Sequence, residues 1–501
     1  MDLRFRRCFH SLLFLLSLAA FTVVAQPKTF TILHTNDMHA GFQPHEAMWV
    51  KSTRRPLVGG FTELSYIIDS VRRQSAISFL MDAGDVMTGT PITERVYQGA
   101  SGGALFEMMN LMGYDVWCPG NHDLDISQDN LKALARIARF PMVCANLVDD
   151  HGDFPMGNIP YAIITRKSVS IGVVGLISQE LSSLVNQNNL VGLRVLDPAA
   201  TLQRYADELR DSVDIVIALT HEGVQEDSAL ATQVHGIPVI IGGHSHTRIT
   251  HPRVVQGVII VQAGSNAENL GVLELTVDRG AVIDYAGSLV PLRNGGRRPE
   301  SRVSELVDSM KLEIDKEYSE VIGNLSSEWV RGNGQSCIGT FIAEAQRKAA
   351  SADVAFMNNY GIRRDLPAGP VTKKALFEVL PFRNVLVAFQ LTGAQLRTIL
   401  TYNIEKHPAI QVAGLDARWR RGQDGKVQWV SIDVDGTPLE DSKIYRCAAS
   451  DYLVGESKRY LGLEISNPSY LRQLVFDTVL QEFHRAKTVG AKVLYSIERV
   501  E

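Results

Sequence analysis

The amino-acid sequence predicts an α/β protein, with an N-terminal α/β sandwich joined by a linker helix to a second, C-terminal α/β domain. Three observations lead to this class. The chain has 501 residues, 45% hydrophobic and 21% charged, enough for two or three domains with a full core in each. From residue 28 to about 290, short apolar runs alternate with amphipathic stretches, the pattern of helices laid on buried sheets. A polar, Arg/Gly/Pro-rich stretch, LRNGGRRPES at residues 292–301, then interrupts the alternation before it resumes beyond residue 320.

Residues 1–25 differ in kind. Arg4, Arg6 and Arg7 precede the apolar run SLLFLLSLAAFTVV, and Val23-Val24-Ala25 offers a cleavage region, so this segment reads as a secretory signal peptide. An uncleaved anchor is the alternative, with an apolar run short for a span. Cys8 precedes the apolar run, which argues against a lipoprotein. Cleavage leaves Cys118, Cys144, Cys337 and Cys447, too few for a disulfide framework, although one bridge remains open. No later segment is apolar enough for a membrane span. A formal charge of -5 gives no basic footprint for a nucleic-acid duplex.

The first domain is expected over residues 26–295. Its strand candidates are Thr29–Thr35 (TFTILHT), AISFLMDAG, YDVWCPG, FPMVCANL, VSIGVVGLI, VDIVIALTH, IPVIIGGHS and VIIVQAGS. DNLKALARIARF and AATLQRYADELRDSV between them carry apolar residues at helical spacing. VSELVDSMKLEIDKEYSEV supplies the linker helix within 296–322. The second domain, 323–501, contains VTKKALFEVLPF, NVLVAFQLTGAQLRTIL and KVQWVSIDVDGTPL.

The strand ends of the first domain carry the chemistry. LHTNDMHAGF puts Asp37 and His39 where a strand runs out, two positions apart and so facing one way if the extension continues. MDAGDVMTGT adds Asp85; WCPGNHDLD adds Asn121, His122 and Asp125; IALTHEG ends at His221; VIIGGHSHT ends at His244 and His246. Singly, Asp85 and Asn121 can be turn residues and His221 a hydrogen-bonded core histidine. Together they fit the rule that ligands of an open α/β sheet gather beyond the carboxyl ends of its strands. Seven candidate ligands exceed the needs of one ion. They suit two ions about 3.5–4 Å apart that share a carboxylate, for which Asp85 is the natural choice. Mixed imidazole and carboxylate ligation favours Zn²⁺, Mn²⁺, Fe or Co over Ca²⁺. Such a pair activates water for attack on phosphorus. His122 adjoins Asn121 without needing to be a ligand; protonated, it could stabilise phosphoryl oxygens or the departing oxygen, with Asp125 orienting its ring.

Asp-x-His, Gly-Asp, Gly-Asn-His-Asp and Gly-His-x-His, in this order, resemble the motifs of the calcineurin-like metallophosphatases. ILHTNDMHAGF, DAGDVMTGTP, PGNHDLD and GGHSHT are most similar to one branch, the secreted 5'-nucleotidase and UDP-sugar hydrolase family. NNYGIRRDLPAGPVT…FEVLPFRNVLV extends the resemblance into the second domain. It implies that Asp37, His39, Asp85 and His246 hold one metal, that Asp85, Asn121, His221 and His244 hold the other, and that His122 and Asp125 are the catalytic dyad. It further implies substrate contacts from Asn358 and Arg363. The pattern departs in the pocket expected to sandwich a nucleobase. Ala409 stands where a first aromatic is usual, Tyr460 takes the place of the second, and Tyr360 and Arg383 replace glycines. No counterpart is evident between Arg331 and Gly339 for a further phosphate-binding arginine.

The expected activity is hydrolysis of 5'-nucleotides or related nucleotide esters by a secreted enzyme with two divalent metal ions, placed in the periplasm by signal peptide and family together. A 2',3'-cyclic-nucleotide phosphodiesterase, a UDP-sugar hydrolase or a thiosulfohydrolase would use the same metals. A non-catalytic nucleotide-binding protein is the alternative of another class. With the metals on one domain and Arg363 and Tyr460 on the other, turnover requires the domains to close on the substrate.

Overall fold

Phe30 and Ile32 face one side of the first strand, and Leu33 faces the other, because successive side chains in extended backbone alternate. That alternation builds four layers. A computed structural model describes residues 26–50, 55–294, 299–332, 334–406 and 410–500. The signal-peptide segment, the expected domain boundary at 295/296 and Ala409 lie outside the described residues.

One sheet of the first domain runs in the order Ala281–Pro291, Asn269–Asp278, Lys28–Thr35, Ser78–Asp82, Val116–Trp117. Its last three strands are parallel, and the hairpin Asn269–Pro291 adds antiparallel strands to the edge. The second sheet runs Arg253–Val255, Val258–Val261, Val239–Gly242, Ile215–His221, Val169–Ile177, Tyr161–Arg166, with the four central strands parallel. Phe30, Ile32, Phe79 and Met81 from one sheet meet Ile171, Val173, Ile217, Leu219 and Ile241 from the other in a buried core. On the outer face of the second sheet, Val174, Val216, Ala218 and Ile240 pack against Leu202, Ala206 and Leu209 of helix Pro198–Leu209. Helices Phe61–Gln74 and Gly103–Met112 cover the outer face of the first.

The stretch FPMVCANL departs from expectation. It is no continuous strand, because its backbone changes partner residue by residue. The Val143 amide donates to Trp117 O of one sheet, at 2.8 Å, and the Ala145 amide to Gly175 O of the other, also at 2.8 Å. A short strand begins only at Leu147.

Helix Arg302–Tyr318 starts at a Ser301 cap and presents Val303, Val307, Met310 and Ile314 at helical spacing. These side chains join the first domain's outer core, and Tyr318 meets Phe377 of the second domain edge-on, with ring centroids 5.7 Å apart. The connecting helix is therefore packed along its length rather than free-standing. The second domain is built on a five-stranded sheet, in the order Ile410–Ala413, Val354–Asn358, Ile444–Ser450, Val385–Thr392, Ser469–Leu474. Ion pairs join its side of the molecule to the first domain: Arg383 to Glu94 at 2.5 Å and Arg55 to Glu328 at 2.7 Å. No helix among the described residues is long and apolar enough to cross a membrane.

Candidate metal centre

Parallel strands end on the same side of their sheets, and the loops leaving five of those ends meet in one place. Asp37, His39 and His246 form one group and Asp85, His221 and His244 another, each with its ligand-type atoms within 4.8 Å of one another. The two groups are contiguous. Asp85 Oδ2 lies 3.1 Å from His221 Nε2 and 4.0 Å from His39 Nε2. Asp37 Oδ1 lies 3.5 Å from His246 Nε2 and 4.0 Å from His221 Nε2. Each carboxylate thus reaches both groups.

The loops hold unusual backbone to achieve this. The strand stops at Thr35, and Asp37 and His39 have φ of 50° and 46°, so the extended continuation expected there does not occur. Asp85, His244 and His246 are also left-handed, with φ of 56°, 73° and 53°. Non-glycine residues rarely adopt this region, and such strain persists where surrounding contacts enforce it. Likewise the strand before His244 ends at Gly242, and the two imidazoles fall into different groups. At Gly120 a Cβ would sit 2.2 Å from Asp85 Oδ1, so only glycine lets that backbone close on the carboxylate.

A set of buried polar groups fixes the ligand-type side chains. Asn36 Nδ2 donates to Asp37 Oδ2 at 2.6 Å, and the His244 amide donates to the same oxygen at 2.9 Å. His221 Nδ1 engages Ala83 O at 2.6 Å and His39 Nδ1 engages Thr88 O at 3.0 Å, which turns both Nε2 atoms toward the carboxylates. Asp123, which sequence reasoning passed over, accepts from the amides of Asp85 (3.0 Å), Gly120 (2.8 Å) and Met87 (3.0 Å). It sits between His122 and Asp125 in GNHDLD, where nothing in the sequence separates it from an ordinary loop acid.

The residues present fit two cations. Asn121 Oδ1 is buried without a hydrogen-bond partner, although buried polar atoms normally have one. The His39 and His246 Nε2 atoms approach to 2.9 Å, which a cation between ring nitrogens and carboxylates would satisfy. Burial brings the His244 and His246 imidazoles down to about 4 and 3, the neutral form in which an imidazole ligates, while burial pushes the Asp37 carboxyl up to about 7. Burial also pushes Asp85 upward, but His221, His122 and His39 outweigh it and hold that carboxyl well below its ordinary value. His221 is pushed up to about 10, because Asp85 outweighs the opposing effect of burial.

His122 Nδ1 lies 2.7 Å from Asp125 Oδ2, which also accepts from Thr88 Oγ1 at 2.7 Å. Burial lowers the His122 pKa, but the Asp125 and Asp85 charges outweigh it and the net shift is upward. From the second domain, Arg363 places Nη2 3.3 Å from His39 Nε2. Asn358, at the end of its strand, is buried with an unpartnered Oδ1. Arg331 donates from Nη1 to Arg363 O at 2.8 Å, supporting the arginine loop from behind. Arg383 pairs with Glu94 at the domain boundary. Tyr460 is 4% exposed, lies in the second domain's core and meets Tyr452 edge-on at 6.1 Å; no described contact joins it to the metal groups. The four cysteines remain free thiols.

The chain matches the calcineurin-like phosphoesterase family over residues 30–248 and the 5'-nucleotidase C-terminal domain over residues 314–462. It is 27% identical to a snake venom 5'-nucleotidase of Gloydius brevicauda, over 88% of this chain and 84% of that one. It is equally 27% identical to a 5'-nucleotidase of Rattus norvegicus, over 86% and 83%. Among solved structures, a 5'-nucleotidase precursor of Thermus thermophilus superimposes with a TM-score of 0.83 at 25% identity, over 95% of this chain and 100% of that one. Fold and site together define a metallophosphoesterase, a hydrolase of phosphoric ester bonds whose cofactors are two divalent metal ions. The chain belongs to the 5'-nucleotidase family, with a calcineurin-like N-terminal domain and a 5'-nucleotidase C-terminal domain.

Proposed function

We propose that the protein is a secreted, metal-dependent 5'-nucleotidase that releases phosphate from nucleoside monophosphates, working in the periplasm after its signal segment is removed. The observation that carries this reading is the reach of Asp85 into both His/Asp groups. Asp37, His39, Asp85 and His246 would hold one ion; Asp85, Asn121, His221 and His244 would hold the other. When bound, the ions supply charge neutralisation and an activated water for in-line attack on phosphorus.

The chain's own groups do the rest. Arg363, directed at the same centre, offers a guanidinium fork to phosphoryl oxygens. Asn358 ends the strand that leads into the Arg363 loop, and its unpartnered Oδ1 would serve as a substrate contact. His122, whose pKa the Asp125 and Asp85 charges raise, would in its protonated form stabilise charge that develops on the phosphoryl or departing oxygen. Tyr460, packed in the second domain's core, offers no open ring face for stacking a base.

Phosphate release from AMP and UMP, compared with a 2',3'-cyclic nucleotide and a UDP-sugar, with Mn²⁺ or Zn²⁺, tests the proposal. Wild type should prefer the monophosphates, and His122→Ala should lose about 10²–10⁴-fold in kcat. Equal activity of the two proteins would refute the dyad's role, and hydrolysis confined to the cyclic ester would refute the substrate class.

A further inference from the structure

The imidazole of His122 has a neighbour on the opposite domain. The Phe382 ring lies 5.5 Å from it, centroid to centroid, with the planes at 33°. The Arg363 guanidinium carbon lies 5.8 Å from the centre of the same ring. On the first domain, His39 meets His122 edge-on at 5.3 Å. Between them, Phe382 and His39 contact the imidazole while Asp125 occupies its Nδ1.

Phe382 is itself held in place. Val379, Leu380 and Pro381 before it are buried, and the Arg363 amide donates to Val379 O at 2.8 Å, tying the arginine loop to the segment that carries the phenylalanine. Immediately after it, Arg383 pairs across the domain boundary with Glu94 at 2.5 Å. The Arg383–Glu94 ion pair gives this arginine an anchoring place beside Phe382.

We propose that Phe382 is a positioning residue for His122: its ring, delivered from the second domain and anchored by Arg383–Glu94, fixes the imidazole plane and keeps water off it so that Nε2 alone faces the substrate. The inference rests on the dyad reading proposed above. Two aromatic rings at this separation make an attractive contact with a defined geometry, and an aliphatic side chain of similar volume supplies burial without it. The contact exists only while the two domains are together, so the dyad is ordered when Arg363 is also in place.

The test compares Phe382→Leu and Phe382→Tyr in the full chain loaded with Mn²⁺. Phe382→Leu should lower kcat on AMP about tenfold while KM stays within about twofold, the scale of one aromatic pair. Phe382→Tyr should restore most of kcat, and both variants should bind as much metal as wild type. In a His122→Ala background, Phe382→Leu should cost nothing further. A full kcat in Phe382→Leu, or the same tenfold loss with His122 already removed, would overturn the inference. Wild-type activity in His122→Ala alone would overturn the dyad reading and with it this one.

Discussion

Arg363 Nη2 and His39 Nε2 lie 3.3 Å apart although 324 residues separate them in sequence. The contact places a charged fork from the second domain against a ligand-type imidazole of the first. Burial lowers the Arg363 pKa while Asp85 and Asp125 oppose that shift, so the guanidinium sits in the field of these first-domain carboxylates. Arg363→Ala should therefore lower kcat/KM for AMP by about 10–100-fold, the equivalent of a lost charge-assisted hydrogen bond to phosphate of about 1.5–3 kcal/mol. Arg363→Lys should recover only part of it, since an ammonium lacks the planar fork. Steady-state kinetics that left kcat/KM unchanged would remove Arg363 from the substrate site.

Metal removal should affect stability as well as activity. Ions bound only by the folded state stabilise it by mass action, about 2.7 kcal/mol for a site at one hundred times its Kd. Excess chelator should abolish phosphate release and lower the melting temperature by about 5–10 °C, with both restored by added Mn²⁺. Scanning calorimetry with and without chelator measures this. An unchanged melting curve would mean that the centre is stable without cations.

The members of the two His/Asp groups are legible in the sequence because such residue types cluster at strand ends, and parallel strands bring those ends to one edge. The route by which they converge was not legible. Asp37 and His39 reach one group through left-handed loop backbone, not through continued extension. His244 and His246 diverge into two groups for the same reason. Asp123 escaped notice because its role is carried by three backbone amides from two loops, a relationship no spacing encodes. Phe382 and Arg383 depend on a domain contact, which strand and helix periodicity cannot report. The continuous apolar content of FPMVCANL predicts one strand, whereas its amides are divided between two sheets.

A pH effect on stability should arise away from the ligand set. Asp227 is buried, accepts from Thr220 Oγ1 at 2.6 Å, and burial pushes its carboxyl up to about 7. Its folded pKa exceeds its unfolded value, so its stabilising contribution is complete below about pH 4 and is lost as pH rises through about 7. Asp227→Asn, which imitates the protonated acid, should flatten the fall in stability between pH 4 and 8 by on the order of 4 kcal/mol. Urea denaturation across that range decides the matter, and parallel curves for wild type and variant would contradict it.

The measurement closest to the central claim is metal content per chain in wild type and Asp85→Asn, read by elemental analysis after equilibration with Mn²⁺ or Zn²⁺ and paired with AMP hydrolysis. Asp85 reaches both groups, so the account predicts two ions per wild-type chain, weakened retention of both in the variant, and loss of activity with them. A variant that keeps two ions and full turnover would contradict the shared carboxylate and the two-metal chemistry built on it.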